Sequence, residues 1–556
     1  MPDQTAATDT IDTLLRRHAA ERGHHPAVID PRTRTTYADL DATTRRIAAA
    51  LVAAGITKGT RVGLVAPNSV GWVRIALALT RIGAVLVPMS TLLKPPELIA
   101  QLRTAAVEVL FASEEFRGHR YLDGLRAILG ESIDTVPIHH PELPSLRHIY
   151  IAEDVTGLGE TPTSSALTRT PRRTRPAHAE LAATPAASAV AGALAATVRP
   201  ADPMLIMFTS GSRGLPKGVI HSHGNALAAV RSGLTARCID TDTRLYLPMP
   251  FFWVGGFGGG ILSALTAGAT LVTEEIPRPE STLELLERER VTLFRGWPDQ
   301  AAALARRAAE LGTDLSALRP GSLEALLPPG RRSRPGARAN LFGMTESFGP
   351  YCGYPADRDM PDSAHGSCGR PFEGMEVRIA GPAGEGVPTG TIGEIQLRGP
   401  HILRGICRRA REDLFTADGY YPTGDLGRLD EEGFLFYHGR RDDMFKVNGA
   451  TVYPGEVEKA LRSLAGVTGA FVTDVERGAG DRVAAALVVT GRPDIGRLCH
   501  AAREILSSFK VPTIWLLLDS DTDIPRGTTG KVDIAALRKL LSDRGIDPDT
   551  ATGPPR

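Results

Sequence analysis

The sequence predicts an α/β protein: a large N-terminal domain of stacked αβ sheets with a small β subdomain, followed by a small α+β C-terminal domain. Three observations predict it. The chain has 556 residues, too many for one ordinary core, and 42% are hydrophobic, enough to fill several interiors. Apolar strand-like runs alternate with helical ones through the first 120 residues and again from Met204 to about Gly349, as in a parallel sheet covered on both faces. From about residue 370 the pattern changes to short strands separated by glycine turns.

Each element has its own signal. Leu40 to Ala54 carries apolar residues at helical spacing and Gly55 is placed to cap its C-terminus. Arg61–Ala66 reads as a strand ending at Pro67-Asn68, Trp72–Gly83 as a helix, and Ala84–Pro88 as the next strand. Residues 155–200, rich in Thr, Pro, Ala and Arg, predict a loose connection with one helix. Met204–Phe208 is an apolar strand that opens the second alternating block. Val377–Ile379, Glu394–Arg398 and Phe434–Tyr437 are the strands of the β subdomain, expected over about 371–438. The charged, flexible run Gly439-Arg440-Arg441-Asp442-Asp443 suits a boundary between domains at 1–438 and 439–556. Beyond it, helices at Gly455–Leu464 and Arg497–Leu506 flank strands at Ala470–Thr473 and Val483–Val489. No internal repeat is present.

Composition narrows the function classes. Lys and Arg number 64 against 63 Asp and Glu, a balance that argues against nucleic acid or an anionic membrane as the main partner. The five cysteines (Cys238, Cys352, Cys368, Cys407, Cys499) are scattered without a C-x-x-C pair, which argues against a disulfide framework or zinc site and for a reducing compartment. Met1–Thr10 lacks a basic-then-apolar leader pattern, and the alanine-rich run Ala186–Val198 is too short to span a bilayer. A soluble cytoplasmic protein is expected.

The most informative stretch is Thr209-Ser210-Gly211-Ser212-Arg213-Gly214-Leu215-Pro216-Lys217-Gly218, directly after the strand Met204–Phe208. A glycine- and hydroxyl-rich loop can wrap phosphate oxygens with N–H and O–H groups while a lysine supplies charge. It is no Walker A loop, because Pro216 stands where the second glycine would be. Alone, it could equally be a surface turn.

Four further segments follow in order. Leu341-Phe342-Gly343-Met344-Thr345-Glu346 offers an aromatic face and a carboxylate. In Tyr421-Pro422-Thr423-Gly424-Asp425-Leu426-Gly427, Asp425 offers paired acceptors suited to two vicinal hydroxyls, or is simply a turn residue. Then come Gly439 through Gly449 with Pro454-Gly455-Glu456-Val457-Glu458, and finally Ile524-Pro525-Arg526-Gly527-Thr528-Thr529-Gly530-Lys531. Two weaker signals stand beside these. Phe251, Phe252 and Trp253 could wall a pocket or be ordinary core, and His221-x-His223 reads as a helix entry, since no other ligands lie at zinc-like spacing.

Together these segments resemble the adenylate-forming superfamily of acyl-CoA synthetases, peptide-synthetase adenylation domains and firefly-type luciferases, over roughly residues 10–540. The resemblance implies a carboxylate attacking the α-phosphate of ATP, then a thiol of coenzyme A displacing AMP from the acyl-adenylate, with a mobile C-terminal domain rotating between the steps. It implies nucleotide contacts from Thr209, Ser210, Gly211, Ser212, Arg213, Gly214, Lys217, Phe342, Gly343, Met344 and Asp425, with Arg440 on ribose or phosphate. Thr345 would contact the α-phosphate and Glu346 would hold Mg²⁺, a cation that prefers oxygen ligands. Lys531 would stabilise charge during adenylation. Asp442 falls on the hinge, Lys446 and Gly449 on the coenzyme A face, and Trp253 and Gly255 on the acyl pocket.

Two departures fall on the ATP half. Arg213 replaces a compact threonine beside the β- and γ-phosphates, where its charge favours binding and its bulk opposes it. Residues 318–340 read Arg319-Pro320-Gly321-Ser322 onward where the family has a glycine-glycine-alanine-proline segment. The leading expectation is an acyl-CoA ligase for a hydrophobic carboxylic acid. The alternatives are an enzyme that only thioesterifies a preformed acyl-adenylate, an adenylation enzyme loading a carrier protein in trans, and a non-catalytic nucleotide-binding regulator. A homodimer is compatible with all four.

Overall fold

The computed structural model describes residues 9–153, 182–210, 216–296, 298–334, 336–339, 341–440, 445–447, 449–452, 454–477, 480–491, 493–526 and 532–548. The described residues fall into two compact units, one drawn from the ranges 1–91, 99–208 and 218–438, the other from 92–98, 209–217 and 439–556.

The larger unit is built on two sheets. Seven strands lie in the order Gly405–Ile406, Pro216–Ser222, Pro203–Ser210, Val85–Pro88, Arg61–Val65, Val109–Ala112, His148–Ile151. The pairings of Arg61–Val65 with Val85–Pro88 and Val109–Ala112 are parallel, so their side chains are buried on both faces. A five-stranded sheet orders Leu293–Phe294, Arg244–Tyr246, Thr270–Val272, Pro26–Ile29 and Arg34–Thr36, of which only the last pairs antiparallel.

The helix Val70–Arg81 shows why the core sits where it does. Ser69 caps its N-terminus by accepting from Trp72 N–H at 3.0 Å, and nearly every residue along it is buried. A helix apolar all round has to be enclosed on every side. Trp72 at its start packs on Phe251 and Phe257 with ring centroids 5.4 and 5.9 Å apart. Phe251 is therefore core, one of the two readings its sequence allowed.

The β subdomain is an antiparallel sheet of Glu376–Ala380, Gly393–Arg398, Tyr421–Leu429 and Leu435–Arg440. Beside it lies a small sheet of Phe342–Met344, Gly349–Gly353 and Arg370–Pro371. The expected helix in the 155–200 connection is Pro185–Thr197, with Thr184 accepting from Ala187 N–H.

In the smaller unit, Val467–Arg477 and Gly480–Val489 pair antiparallel, and Ile514–Leu518 joins in parallel. Side-chain alternation along Gly480–Val489 feeds two cores. Val483, Ala485, Leu487 and Val489 join Trp515 and the helices Pro454–Arg462 and Ile495–Ile505 on one face. Ala484, Ala486 and Val488 meet Leu537 and Leu541 of the helix Ile534–Arg544 on the other. Period-two alternation with both faces apolar is what a short sheet covered on both sides requires. Among the described residues no helix is long and apolar enough to cross a membrane.

Candidate functional site

Within the larger unit, two segments from the sequence analysis come together. Phe342–Met344 is a strand whose hairpin partner is Gly349–Gly353. Their closeness depends on Gly343: a β-carbon there would lie 2.1 Å from the Gly349 carbonyl oxygen. The short turn Thr345–Ser347 follows, and the Ser347 hydroxyl fixes it by donating to the Gly349 carbonyl at 2.7 Å. Phe348 closes the turn in the left-handed region at φ 53°, its ring edge-on to His221 at 4.9 Å.

Glu346 is buried at 6% exposure, and Tyr421 Oη donates to its Oε1 at 3.4 Å. Tyr421 begins the strand Tyr421–Leu429, in which Tyr421, Thr423 and Asp425 point to one buried side. Asp425 is held locally, its N–H donating to Thr423 Oγ1 at 3.0 Å. Alternation along this strand thus turns Tyr421 and Asp425 to the same side, with Tyr421 at Glu346 of the turn Thr345–Ser347.

The aromatic face is larger than the sequence suggested. The Phe342 ring is 4.8 Å from that of Tyr437 and 5.6 Å from that of Tyr351. Tyr437 is 40% exposed, so the group keeps an open face on which a flat ring could stack. The Tyr351 hydroxyl is buried and has no hydrogen-bond partner among the described residues. Burial pushes its pKa up, and the negative charges around it, Asp425 among them, push it further. An orphan donor beside a buried carboxylate is a place for a ligand hydroxyl. Sequence reading missed Tyr437 and Tyr351 because neither belongs to a recognisable segment; only strand pairing brings them to Phe342.

Trp253 and Gly255 sit at the start of a short helical turn, Val254–Gly256, that continues into a π-helix at Phe257–Leu262. Trp253 is half-buried and edge-on to Phe252 at 5.6 Å. Gly256 is obligatory, since a β-carbon there would lie 2.0 Å from the Pro250 carbonyl oxygen. Segment 318–340 follows the edge of the five-stranded sheet: Phe294 N–H donates to Ser322 Oγ at 3.1 Å and Leu323 N–H to the Phe294 carbonyl at 3.1 Å. Leu318, Leu326 and Leu327 are buried there in a core cluster that includes Phe294 and Leu304.

His221 and His223 flank the entry of the helix His223–Gly233, where Ser222 and Asn225 form a capping box. Asn225 Nδ2 lies 2.8 Å from His221 Nδ1. Desolvation pushes His221 down to about 3 and His223 to about 4, so both are neutral side chains of the interior.

Thr209 is the penultimate residue of the strand Pro203–Ser210, and its buried hydroxyl has no hydrogen-bond partner among the described residues. Lys217 is half-buried at the start of Pro216–Ser222. Lys446 is exposed on the hairpin of Phe445–Val447 and Ala450–Val452, and Gly449 occupies its turn at φ 79°. Arg440 ends the strand Leu435–Arg440. Gly211, Ser212, Arg213, Gly214, Asp442 and Lys531 lie outside the described residues.

Comparison with known proteins accords with this geometry. Residues 15–407 match the family described as AMP-binding enzyme. Over 551 residues the chain is 32% identical to a 7a-methyl-1,5-dioxo-octahydro-inden-4-yl propanoyl:CoA ligase of Mycobacterium tuberculosis, covering 96% of this chain and 99% of that protein. It is 28% identical to the indoleacetate–CoA ligase of Aromatoleum aromaticum, covering 96% and 98% of the two chains. Among solved structures, an amide bond synthetase from Marinactinospora thermotolerans superposes with a TM-score of 0.73 at 26% identity, covering 96% of this chain and 99% of the other. The o-succinylbenzoate CoA synthetase of Bacillus subtilis has the same fold, with a TM-score of 0.74 at 23% identity over 97% and 99% of the two chains. With a match over most of its length and the aromatic and carboxylate groups gathered in its larger unit, the chain belongs to the AMP-binding enzyme family.

Proposed function

We propose that the protein is an AMP-forming acid–thiol ligase that joins a hydrophobic carboxylic acid to coenzyme A through an acyl-adenylate. The observation that carries this reading is the aromatic face of Phe342 and Tyr437 beside Tyr351, which feels the buried Asp425, in the same unit as the buried Glu346 and in a chain related along its length to CoA ligases. Adenine stacks on the rings and Asp425 accepts from the ribose hydroxyls. Thr345 and the loop around Thr209 donate to phosphate oxygens, and Lys531 stabilises the charge that develops as the carboxylate attacks. Glu346 fits Mg²⁺ as a single hard oxygen ligand, the remaining positions falling to phosphate oxygens and water. Among the described residues no group of three acidic, His or Cys side chains could hold a metal without substrate. Lys446 and Gly449 lie on the face that admits coenzyme A. The relatives' names point to ring-bearing acids, and the apolar walls at Trp253 and Val254 suit them. The five free thiols fit a reducing, cytosolic setting.

The test is ATP–pyrophosphate exchange measured beside acyl-CoA formation over a panel of aryl and polycyclic acids. Acid-dependent exchange with matching thioester is the expected result; neither signal with any acid would overturn the reading. Arg213→Thr is run in parallel to weigh the ATP half-reaction. Thioester from synthetic acyl-adenylate, with exchange appearing only in Arg213→Thr, would restrict the enzyme to the second step.

A further inference from the structure

One buried ring nitrogen in the larger unit stands without a partner. His221, in the strand Pro216–Ser222, is fully buried, and its Nε2 makes no hydrogen bond among the described residues. Which of its nitrogens carries the proton follows from Asn225. Asn225 Oδ1 receives the Ser222 N–H at 2.6 Å, and Nδ2 donates to the His401 carbonyl at 3.0 Å. A backbone N–H only donates and a carbonyl only accepts, so the amide has one orientation. Its second Nδ2 hydrogen meets His221 Nδ1, 2.8 Å away. Nδ1 therefore accepts, the buried imidazole is neutral, and its single proton sits on Nε2.

The groups of the turn Thr345–Ser347 that act on this ring are Phe348 and Thr345. Phe348, which closes the turn, stands edge-on to it at 4.9 Å. The Thr345 main chain raises the ring's affinity for a proton, as a carbonyl does and an amide N–H does not. With Nδ1 occupied by Asn225, the side left to that carbonyl is Nε2. The carbonyl accepts from Phe348 N–H at 2.9 Å and has a second lone pair to offer. The turn is held from other directions too. Phe348 has φ 53°, which a residue with a β-carbon keeps only under constraint, and a β-carbon on Gly258 would lie 3.0 Å from its Cε1. Leu403 N–H donates to the Glu346 carbonyl at 2.8 Å, and Arg404 N–H to the Ile220 carbonyl at 2.8 Å. One segment thus ties the turn to the strand that carries His221.

Taking the ligase reading as its basis, we propose that His221 is a positioning residue for adenylation: its Nε2–H takes the Thr345 carbonyl as acceptor when the turn closes on the nucleotide, and so sets the Thr345 hydroxyl and the Glu346 carboxylate. A buried donor left unpaired is costly, so forming this bond favours the closed turn. Such bonds are often long before substrate binds and tighten in the reacting complex. His221 touches no reacting atom; its effect passes through the Thr345 backbone.

The test is ATP–pyrophosphate exchange by the full chain, with urea unfolding midpoints read beside it. His221→Phe keeps a ring against Phe348 and removes both nitrogens. Its kcat should fall about 10- to 100-fold, with the KM values for ATP and for the acid within about threefold of the parent. His221→Gln, whose amide places a donor near Nε2, should recover most of that loss. Asn225→Asp still accepts from Ser222 but puts an acceptor opposite Nδ1, which draws the proton there and strips Nε2. It should lose kcat as His221→Phe does, and the two substitutions together should lose no more than one alone. If His221→Phe does not fold, exchange kept in His221→Gln and lost in Asn225→Asp is the expected result, and equal exchange in both refutes the proposal. Full kcat in His221→Phe beside an active parent would overturn this proposal alone. Equal losses in His221→Phe and His221→Gln, with midpoints lowered in step, would show a packing role and overturn it too. A raised KM for ATP at unchanged kcat would assign the Nε2–H to the nucleotide itself and overturn it as well. A parent inactive with every acid would sink the ligase reading, and this inference with it.

Discussion

At the scale of single residues, stability is concentrated in a few buried charges. Arg81 closes the enclosed helix Val70–Arg81 at 2% exposure, with Asp12 and Asp41 at its guanidinium and Thr44 Oγ accepting at 2.6 Å. Arg81→Met keeps the apolar stem and leaves the buried Asp41 and Asp12 with only the exposed Arg45 and Arg16 as ionic partners. The expected cost is about 3–5 kcal/mol, read as a lower urea midpoint, and a change under about 1 kcal/mol would show the network to be solvated. The buried histidines add a pH term whose sign follows from their state. His221, His223 and His401 are held at about 3, 4 and 4, in each case mainly by desolvation. Unfolded chains protonate them from about 6.5 downward while the folded protein resists until much lower pH, so the unfolded state binds more protons in between. Their stabilisation is complete above about pH 6.5 and is lost as pH falls towards 3–4, by at most about 1.4 kcal/mol per pH unit for each residue. His221→Gln should unfold with a shallower pH slope between 7 and 5 than the parent. An equally steep slope would mean that this imidazole already carries its proton in the folded state.

At the scale of elements, close backbone approach positions the site more than side-chain bulk does. In the hairpin of Phe342–Met344 and Gly349–Gly353, Gly343→Ala would press a methyl group against backbone 2.1 Å away. The strands would have to part, moving Phe342 from Tyr437 and Glu346 from Tyr421 together. Adenylate formation should fall by 100-fold or more, since displacing reacting groups by about 1 Å costs on that order. Gly480→Ala, at the head of a strand with nothing within 4 Å of its added carbon, should leave the rate within about twofold; similar losses in both would mean that the backbone approach at Gly343 is not what positions the site. The same distinction decides what was legible beforehand. Trp72–Gly83 read as a helix and is Val70–Arg81, because a capping serine and an apolar run are local signals. The strand read at Glu394–Arg398 is Gly393–Arg398, for the same reason. Phe257–Leu262 was not legible, since Gly258-Gly259-Gly260 has no hydrophobic period and its π-helical turn is imposed by neighbours such as Phe348 and Leu247. Phe342 and Asp425 could be singled out from their segments, but Tyr437 and Tyr351 join Phe342 only when strands far apart in sequence become adjacent.

At the scale of the whole molecule, one chain has to serve two reactions with conflicting needs. Adenylation calls for a cation beside the attacking carboxylate, whereas thioester formation calls for access by a bulky thiol to the same carbonyl. We propose that these needs separate on Lys531 and Gly449, both of which follow His438 in the sequence, the last residue of the larger unit. Gly449 holds a hairpin turn at φ 79°, a conformation that a side chain adopts at a cost of about 1–2 kcal/mol, and it is exposed. If the segment beyond Gly439 presents these residues alternately, damage to them must dissociate. Lys531→Ala should lose ATP–pyrophosphate exchange by at least about 100-fold, the scale of one electrostatic stabiliser, yet still form thioester from synthetic acyl-adenylate. Gly449→Leu should show the reverse, with exchange intact and thioester formation lost as the backbone approach closes. Asp442→Pro, which fixes φ at the expected pivot, should keep one half-reaction and lose the other. Parallel loss of both half-reactions in all three variants would show that a single fixed arrangement performs both steps, and that Asp442 is an ordinary linker residue.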